Sequence, residues 1–251
     1  MKISDVISAM SSAIIPIVAN GTPESMIFAA GLQPLLSTAF DSILLDVFKK
    51  GVTKKETMRL GISYKSAVSQ TNENLQNRIP FRQDDMFISS DTNYSDASDI
   101  IEATVNSIML DTDHRKTEFY GYFIGNLGFC PEVDYTNAIH LQNVIKQLSF
   151  TQLCIIKYFH SINILNLSSC QDYIESSEDI KSMEIFFSIK ELIRLNLLKR
   201  NSPYDLGVDI QNHSLNSNGK LIYKMMSLYK IDTDSINYIS TILQRMRAKP
   251  I

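Results

Sequence analysis

The sequence predicts a mainly α-helical protein with one small β-hairpin toward its C-terminus. Apolar residues recur at intervals of three and four along most of the chain, as in Leu153, Ile156 and Phe159 or Ile239, Ile242, Leu243 and Met246. That spacing marks one face of a helix. Only two short runs read as strands, Leu197–Arg200 and Asp209–Leu215, and the stretch between them, Asn201–Gly207, has the punctuation of a hairpin connection. Glycine and proline are sparse, at 9 and 7 of 251 residues, which argues against a glycine-rich fold.

The bulk composition narrows the class further. A hydrophobic content of 44% with 20% charged residues belongs to a folded protein rather than a disordered one. The length allows one large core or two modest ones. The formal net charge of -3 weighs against a protein that lives on nucleic-acid phosphate, which is usually basic. Cys130, Cys154 and Cys170 are odd in number and form no C-x-x-C pair, as expected of free thiols in a reducing compartment. The first residues, Met-Lys-Ile-Ser-Asp-Val, lack a signal-peptide pattern, so a cytoplasmic location is expected.

Residues 6–40 stand apart. Glu24 is the sole charged residue between Asp5 and Asp41. Apolar runs containing Ile14 and Ile15, then Ile27 and Phe28, flank Asn20–Pro23, and Leu35 and Leu36 follow Gly31 and Pro34. Each uninterrupted run is shorter than the roughly 20 apolar residues that span a bilayer. The segment reads as a buried hairpin or oligomer seam, or as a membrane-active element. An amphipathic helix with Ile43, Leu44, Val47 and Phe48 then stops at Lys49-Lys50-Gly51.

A long polar helix is expected from Thr53 to about Ile79, with the thin stripe Met58, Leu60, Ile62, Ala67, Val68 and Leu75, ending before Pro80. Gln83–Asn93 reads as a connector. Asp96 or Ser98 can cap a helix with Ile100, Ile101, Val105, Ile108 and Met109, whose pattern can run on through His114-Arg115-Lys116 to Ile124. Gly121, Gly125 and Gly128 weaken that second half but let another helix approach closely. Val133–Leu148 forms a further core helix through Ala138, Leu141, Val144, Ile145 and Leu148. We place the domain boundary here, with a helical domain at 1–148 and a second domain at 149–251.

The second domain opens on Ser149 and Gln152, spaced as a capping box. Leu153, Ile155, Ile156 and Phe159 face inward. Ser177 is a second capping candidate. Ile180, Met183, Phe186, Phe187, Ile189 and Ile193 are expected to form the apolar face of the next helix. After the hairpin, Asn216 caps a helix with Leu221, Ile222, Met225 and Met226, and a last helix runs from about Asp234 to Met246.

The pattern Leu195-x-Leu197-Leu198-Lys199-Arg200, followed by Leu215-x-x-x-Gly219-x-Leu221, resembles winged-helix regulators of the multiple-antibiotic-resistance type. Asn196 stands where that family often has Gly, and Asn216 where it has Thr. The resemblance covers about the last 100 residues. It implies a C-terminal winged helix, a module that contacts DNA in some proteins and protein in others. For DNA, the helix from Ile180 to Leu195 would enter the major groove. Lys181, Ser188, Lys190 and Arg194, with Glu184 and Glu191, would face outward, and Lys199 and Arg200 would lie at the wing. The arrangement of the whole chain also resembles bacterial abortive-infection proteins of the alpha type, which implies a link with phage defence and assigns no residue.

Catalytic signatures are absent from the sequence: no P-loop, no G-x-G-x-x-G, no H-E-x-x-H and no G-x-S-x-G. His114, His140, His160 and His213 lack metal-ligand spacing. The best enzymatic constellation is Asp111–Lys116 with Glu118, in which a continuous helix would pair Asp111 with Arg115 and His114 with Glu118. A solvated face of ion pairs explains it better, since an acid/base role would need a second cluster brought in from elsewhere. We therefore expect no catalytic residue, metal or cofactor. The expected function is a non-enzymatic regulatory or interaction protein whose partner is a second copy, another protein or DNA. The alternative is a defence effector whose segment 6–40 engages a membrane or drives oligomerisation.

Overall fold

The computed structural model describes residues 51–87, 95–162, 174, 179–200 and 213–247. Among the described residues are eight α-helices and one two-stranded antiparallel sheet. The chain divides into two compact units, Met1–Lys146 and Gln147–Ile251. The segment holding Ile14, Ile15, Ile27, Phe28, Leu35 and Leu36, and the helix expected around Ile43–Phe48, lie outside the described residues. Among the described residues no helix is long and apolar enough to cross a membrane.

The first unit is built around α1 (Lys54–Gln76) and α3 (Thr117–Leu127), which pack along one another, with α2 (Asp96–Leu110) and α4 (Tyr135–Ile145) beside them. Thr53 and Glu56 form a reciprocal capping box at the start of α1. The helix ends at Gln76 rather than near Ile79, because Arg78 turns into the left-handed region at φ 56°. The chain has thus left the helix before Pro80 acts.

The buried face of α1 differs from the expected stripe. Leu60, Ser63, Tyr64, Ala67, Gln70 and Asn74 are buried, whereas Met58 and Ile62 are exposed. Close approach of α3 is the reason. A Cβ at Gly121 would stand 2.1 Å from the Ser63 carbonyl oxygen, and one at Gly125 would stand 2.5 Å from that of Ala67. At the points of closest approach the α1 residues are Ser63, Ser66 and Ala67, while the larger Leu60 and Tyr64 are buried in the same face. The expected close approach at these two glycines is therefore present. The seam is closed by a buried polar chain in which Gln70 Nε2 donates to Asn74 Oδ1 (3.1 Å) and Asn74 Nδ2 donates to Asn126 Oδ1 (2.8 Å).

The expected continuous helix from residue 96 to 124 is two helices. Ser95, not Asp96 or Ser98, is the cap of α2, and its hydroxyl accepts from the Ser98 backbone N–H. The helix stops at Asp111, whose backbone is extended, and a short 3-10 turn His114–Lys116 leads into α3. The Asp111 and Asp113 carboxylates accept from the Asp113 and Arg115 backbone N–H groups. This local capture competes with the helical ladder and breaks it. The connector after Pro80 is anchored by Arg82. Its buried guanidinium donates to the Leu127 and Val133 carbonyls and to both oxygens of Asp84. That bond holds the Asp84 carboxyl below its usual range.

The second unit places α5 (Phe150–Ile162) at its centre, packed against α6 (Ile180–Arg194), α7 (Ser217–Met225) and α8 (Thr233–Arg247). The Ser149–Gln152 capping box is present. Leu153, Ile155, Ile156 and Phe159 are buried as expected. Asp179 caps α6, accepting from the Lys181 N–H and the Ser182 hydroxyl; Ser177 lies outside the described residues. Strands β1 (Leu198–Arg200) and β2 (His213–Leu215) pair antiparallel with Leu198 opposite Leu215.

Two asparagines join this hairpin to its helices. Asn196 sits at φ 53°, a left-handed position that Gly or Asn tolerates best. Asn216 caps α7 and donates its side-chain amide to the Asn196 carbonyl at 2.6 Å. Gly219 is required by proximity, since a Cβ there would lie 2.4 Å from the Leu197 carbonyl oxygen. Asn216→Ala removes both the cap and the tie, and should destabilise the second unit by about 1–2 kcal/mol in equilibrium urea unfolding. Asn216→Ser keeps a cap without the tie and should recover about half of that loss.

Candidate functional site

Helix α6 is held to the second unit by one face and presents the other to solvent. Ser182, Ile185, Phe186, Ile189 and Leu192 are buried. Ile180 and Phe187 were expected in that face and are not: they are 79% and 56% exposed. Geometry decides this, because Phe186 and Phe187 differ by about 100° around a helix and one narrow seam cannot cover both. The buried arc centres on Ile185, Ile189 and Leu192, which leaves Ile180 and Phe187, seven residues apart, on one outward ridge.

The other candidates surround that ridge. Lys181, Lys190, Arg194, Lys199 and Arg200 are exposed, and Ser188 is half-buried. Glu184 is exposed and Glu191 is partly so, both within the same outward arc. Several of these cations are engaged within the unit. Arg194 lies bidentate on Glu191, at 2.8 and 2.5 Å, and this bond holds the Glu191 carboxyl low and the Arg194 guanidinium high. The Lys190 ammonium sits 4.7 Å from the centre of the Phe186 ring. Lys199 and Arg200 are the exposed residues of β1 and Leu198 the buried one. The structure therefore gathers the six residues on α6 and the adjoining strand, and adds two exposed apolar side chains that periodicity alone assigned to the core.

Comparison with protein-family models, curated proteins and solved structures gives no match to this chain.

The acidic–basic cluster in the first unit has a different geometry from the helical pairing read in the sequence. Asp111 does not face Arg115. Its carboxylate accepts from the buried Lys116 ammonium at 2.5 Å and from the Tyr120 hydroxyl at 2.8 Å. Its backbone carbonyl accepts from the Arg59 guanidinium. Lys116 is 2% exposed. Burial first, and then the Asp111 charge, push the Tyr120 phenol well above its usual range, so it stays a proton donor to Asp111. Arg115 pairs instead with Asp113, bidentate at 2.8 and 2.9 Å. This arrangement ties α1, the end of α2 and the start of α3 together through Asp111, which accepts from Arg59, Lys116 and Tyr120. Sequence reasoning missed Lys116, Tyr120 and Arg59 as a unit. The available signal was Lys116 and Tyr120 at i, i+4 directly after an Asp-x-Asp break. Among the described residues no group of three or more His, Cys, Asp or Glu side chains can hold a metal ion.

Proposed function

We propose that this is a non-enzymatic regulatory or interaction protein that contacts another protein through the outward ridge of α6, within a C-terminal unit of winged-helix type. The observation that carries it is the pair Ile180 and Phe187, bare on a helix whose opposite face is well packed. Two large apolar side chains on one exposed ridge, bordered by charges of both signs, suit a protein partner. The order helix, helix, antiparallel hairpin, helix supports the winged-helix reading, as do the Asn196 turn and the Gly219 approach at the positions the sequence pattern singles out.

DNA contact is the second reading, supported by the exposed cations Lys181, Lys190, Arg194, Lys199 and Arg200. Glu184 and Glu191 on the same arc would meet phosphate or base acceptors unfavourably, and Arg194 would have to leave Glu191 to reach them. Titration of duplex DNA at several salt concentrations separates the two readings. The protein reading expects binding that is weak, steeply salt-dependent and changed little by Lys190→Ala with Arg194→Ala. Tight binding abolished by that pair would replace it with the DNA reading. The expected membrane role rests on residues 6–40, which lie outside the described residues, and the expected phage-defence role rests on the arrangement of the whole chain.

A further inference from the structure

Helix α6 sorts its charges by sign on either side of its bare ridge. With Ile180 taken as the centre and about 100° per residue, Phe187, Arg194 and Lys190 fall about 20°, 40° and 80° to one side, and Glu191 and Glu184 fall about 20° and 40° to the other. Ile180, Glu184, Phe187, Lys190 and Arg194 are exposed, and Glu191 is half-buried. The ridge is thus apolar along its middle, acidic along one flank and basic along the other, with Glu184 and Glu191 set against Lys190 and Arg194. Lys181 lies about 100° from the centre, at the margin of the same arc. The Arg194–Glu191 bond, at 2.8 and 2.5 Å, crosses the ridge from one flank to the other.

We infer that the partner of this ridge is a second copy of the chain, with two α6 helices side by side in the same direction about a two-fold axis that runs along them. The inference rests on the reading of the ridge as a protein-contact surface and names its occupant. A symmetric dimer joins one patch to itself, so the patch must be complementary to its own image. An axis along α6 meets that condition. Ile180 then lies against the partner's Ile180 and Phe187 against the partner's Phe187, in register at seven-residue spacing. Each acidic flank lies against the opposite, basic flank, so Glu191 faces the partner's Arg194 and the partner's Lys190. An axis across α6 would set the helices antiparallel and bring acid to acid and base to base, which like-charge repulsion disfavours. Equal numbers of the two signs also give neither a polyanion nor a polycation a matching surface, whereas the ridge matches itself. One helix face per copy makes an interface of the small, transient class, so the dimer forms and dissociates with concentration.

The test is sedimentation velocity of the full chain over a range of concentrations. The intact chain should pass reversibly from monomer to dimer. Phe187→Asp should weaken the dimer about thirtyfold or more, the effect of losing a central aromatic anchor. Glu184→Lys with Glu191→Lys makes both flanks basic, and Lys190→Glu with Arg194→Glu makes both acidic. Each double variant alone should sediment as a monomer, and an equal mixture of the two should form dimer again. Orientation is read from Ile180→Cys in a Cys170→Ser background, where the remaining Cys130 and Cys154 are buried. Mild oxidation should link two copies at position 180, which parallel helices bring together and an antiparallel pair centred on Phe187 holds apart. The ridge changes all lie at exposed or half-buried positions, and an unchanged circular dichroism spectrum shows that the fold is retained. A chain that stays monomeric at every concentration overturns the inference. The reading of the ridge as a protein contact is then judged separately, by the mass of the adduct formed in cells from a photoreactive residue at position 187, which distinguishes a second copy from a different protein. A dimer unaffected by Phe187→Asp, charge-reversed variants that stay monomeric on mixing, or an Ile180→Cys chain that does not cross-link would also overturn it.

Discussion

Asp111→Ala should remove about 3–5 kcal/mol of stability from the first unit, a large share of what a domain of this size possesses. The carboxylate is the shared acceptor for Lys116 Nζ and Tyr120 Oη. Removing it leaves an ammonium with only 2% exposure and no counter-charge, and a phenol with no acceptor. Urea unfolding followed by circular dichroism checks this; the midpoint should fall with little change in slope. Asp111→Ala combined with Lys116→Met should recover much of the loss, because the cost lies in the orphaned charge rather than in the missing bond. A loss of about 1 kcal/mol or less for Asp111→Ala would mean that the pair behaves as a solvated surface bridge.

Gly121→Ala should destabilise the same unit by about 2 kcal/mol, against the direction that helix propensity alone gives. In an exposed helix interior the change would gain about 1 kcal/mol. Here the new Cβ would lie 2.1 Å from the Ser63 carbonyl oxygen and 2.7 Å from Ser66 Cβ. Backbone cannot move aside as a flexible side chain can, so α1 and α3 must separate and loosen the Gln70–Asn74–Asn126 chain below. Gly61→Ala is the internal control. It lies in α1 with nothing within 4 Å of its would-be Cβ, so it should be neutral or stabilising by up to about 1 kcal/mol. Opposite signs at the two positions, measured in the same unfolding assay, establish that proximity sets the requirement at Gly121.

These two sites show what periodicity conveys and where it stops. Spacing located α1, α4, α5, α7 and α8 and both strands, because each buries residues at regular intervals and several begin on a side-chain cap. It identified Gly121 and Gly125 as a close approach but not the helix they approach, since a pairing over more than fifty residues leaves no local trace. It read Lys116 as solvated because an ammonium usually is. Only the fold brings Asp111, Tyr120 and Arg59 around it. The break at Asp111–Asp113 was hidden for a related reason: apolar spacing continues across it, and the carboxylates that cut the helix act on backbone N–H groups rather than on the pattern. On α6 the apolar residues cover more than one seam's width, so periodicity alone could not choose between the arc with Ile185 and Leu192 and the arc with Ile180 and Phe187. The six charged and polar residues expected outside were legible, and the apolar pair that turns the reading toward a protein partner was not.

The most direct measurement is site-specific photo-cross-linking in cells, with a photoreactive amino acid in place of Phe187 and, as a control, in place of exposed Thr241 on α8. The account predicts a discrete protein adduct from position 187 that is absent from position 241 and is lost on Ile180→Asp. Adducts to DNA alone, the same adducts from both positions, or no adduct from 187 would contradict the claim that the α6 ridge is a protein-contact surface.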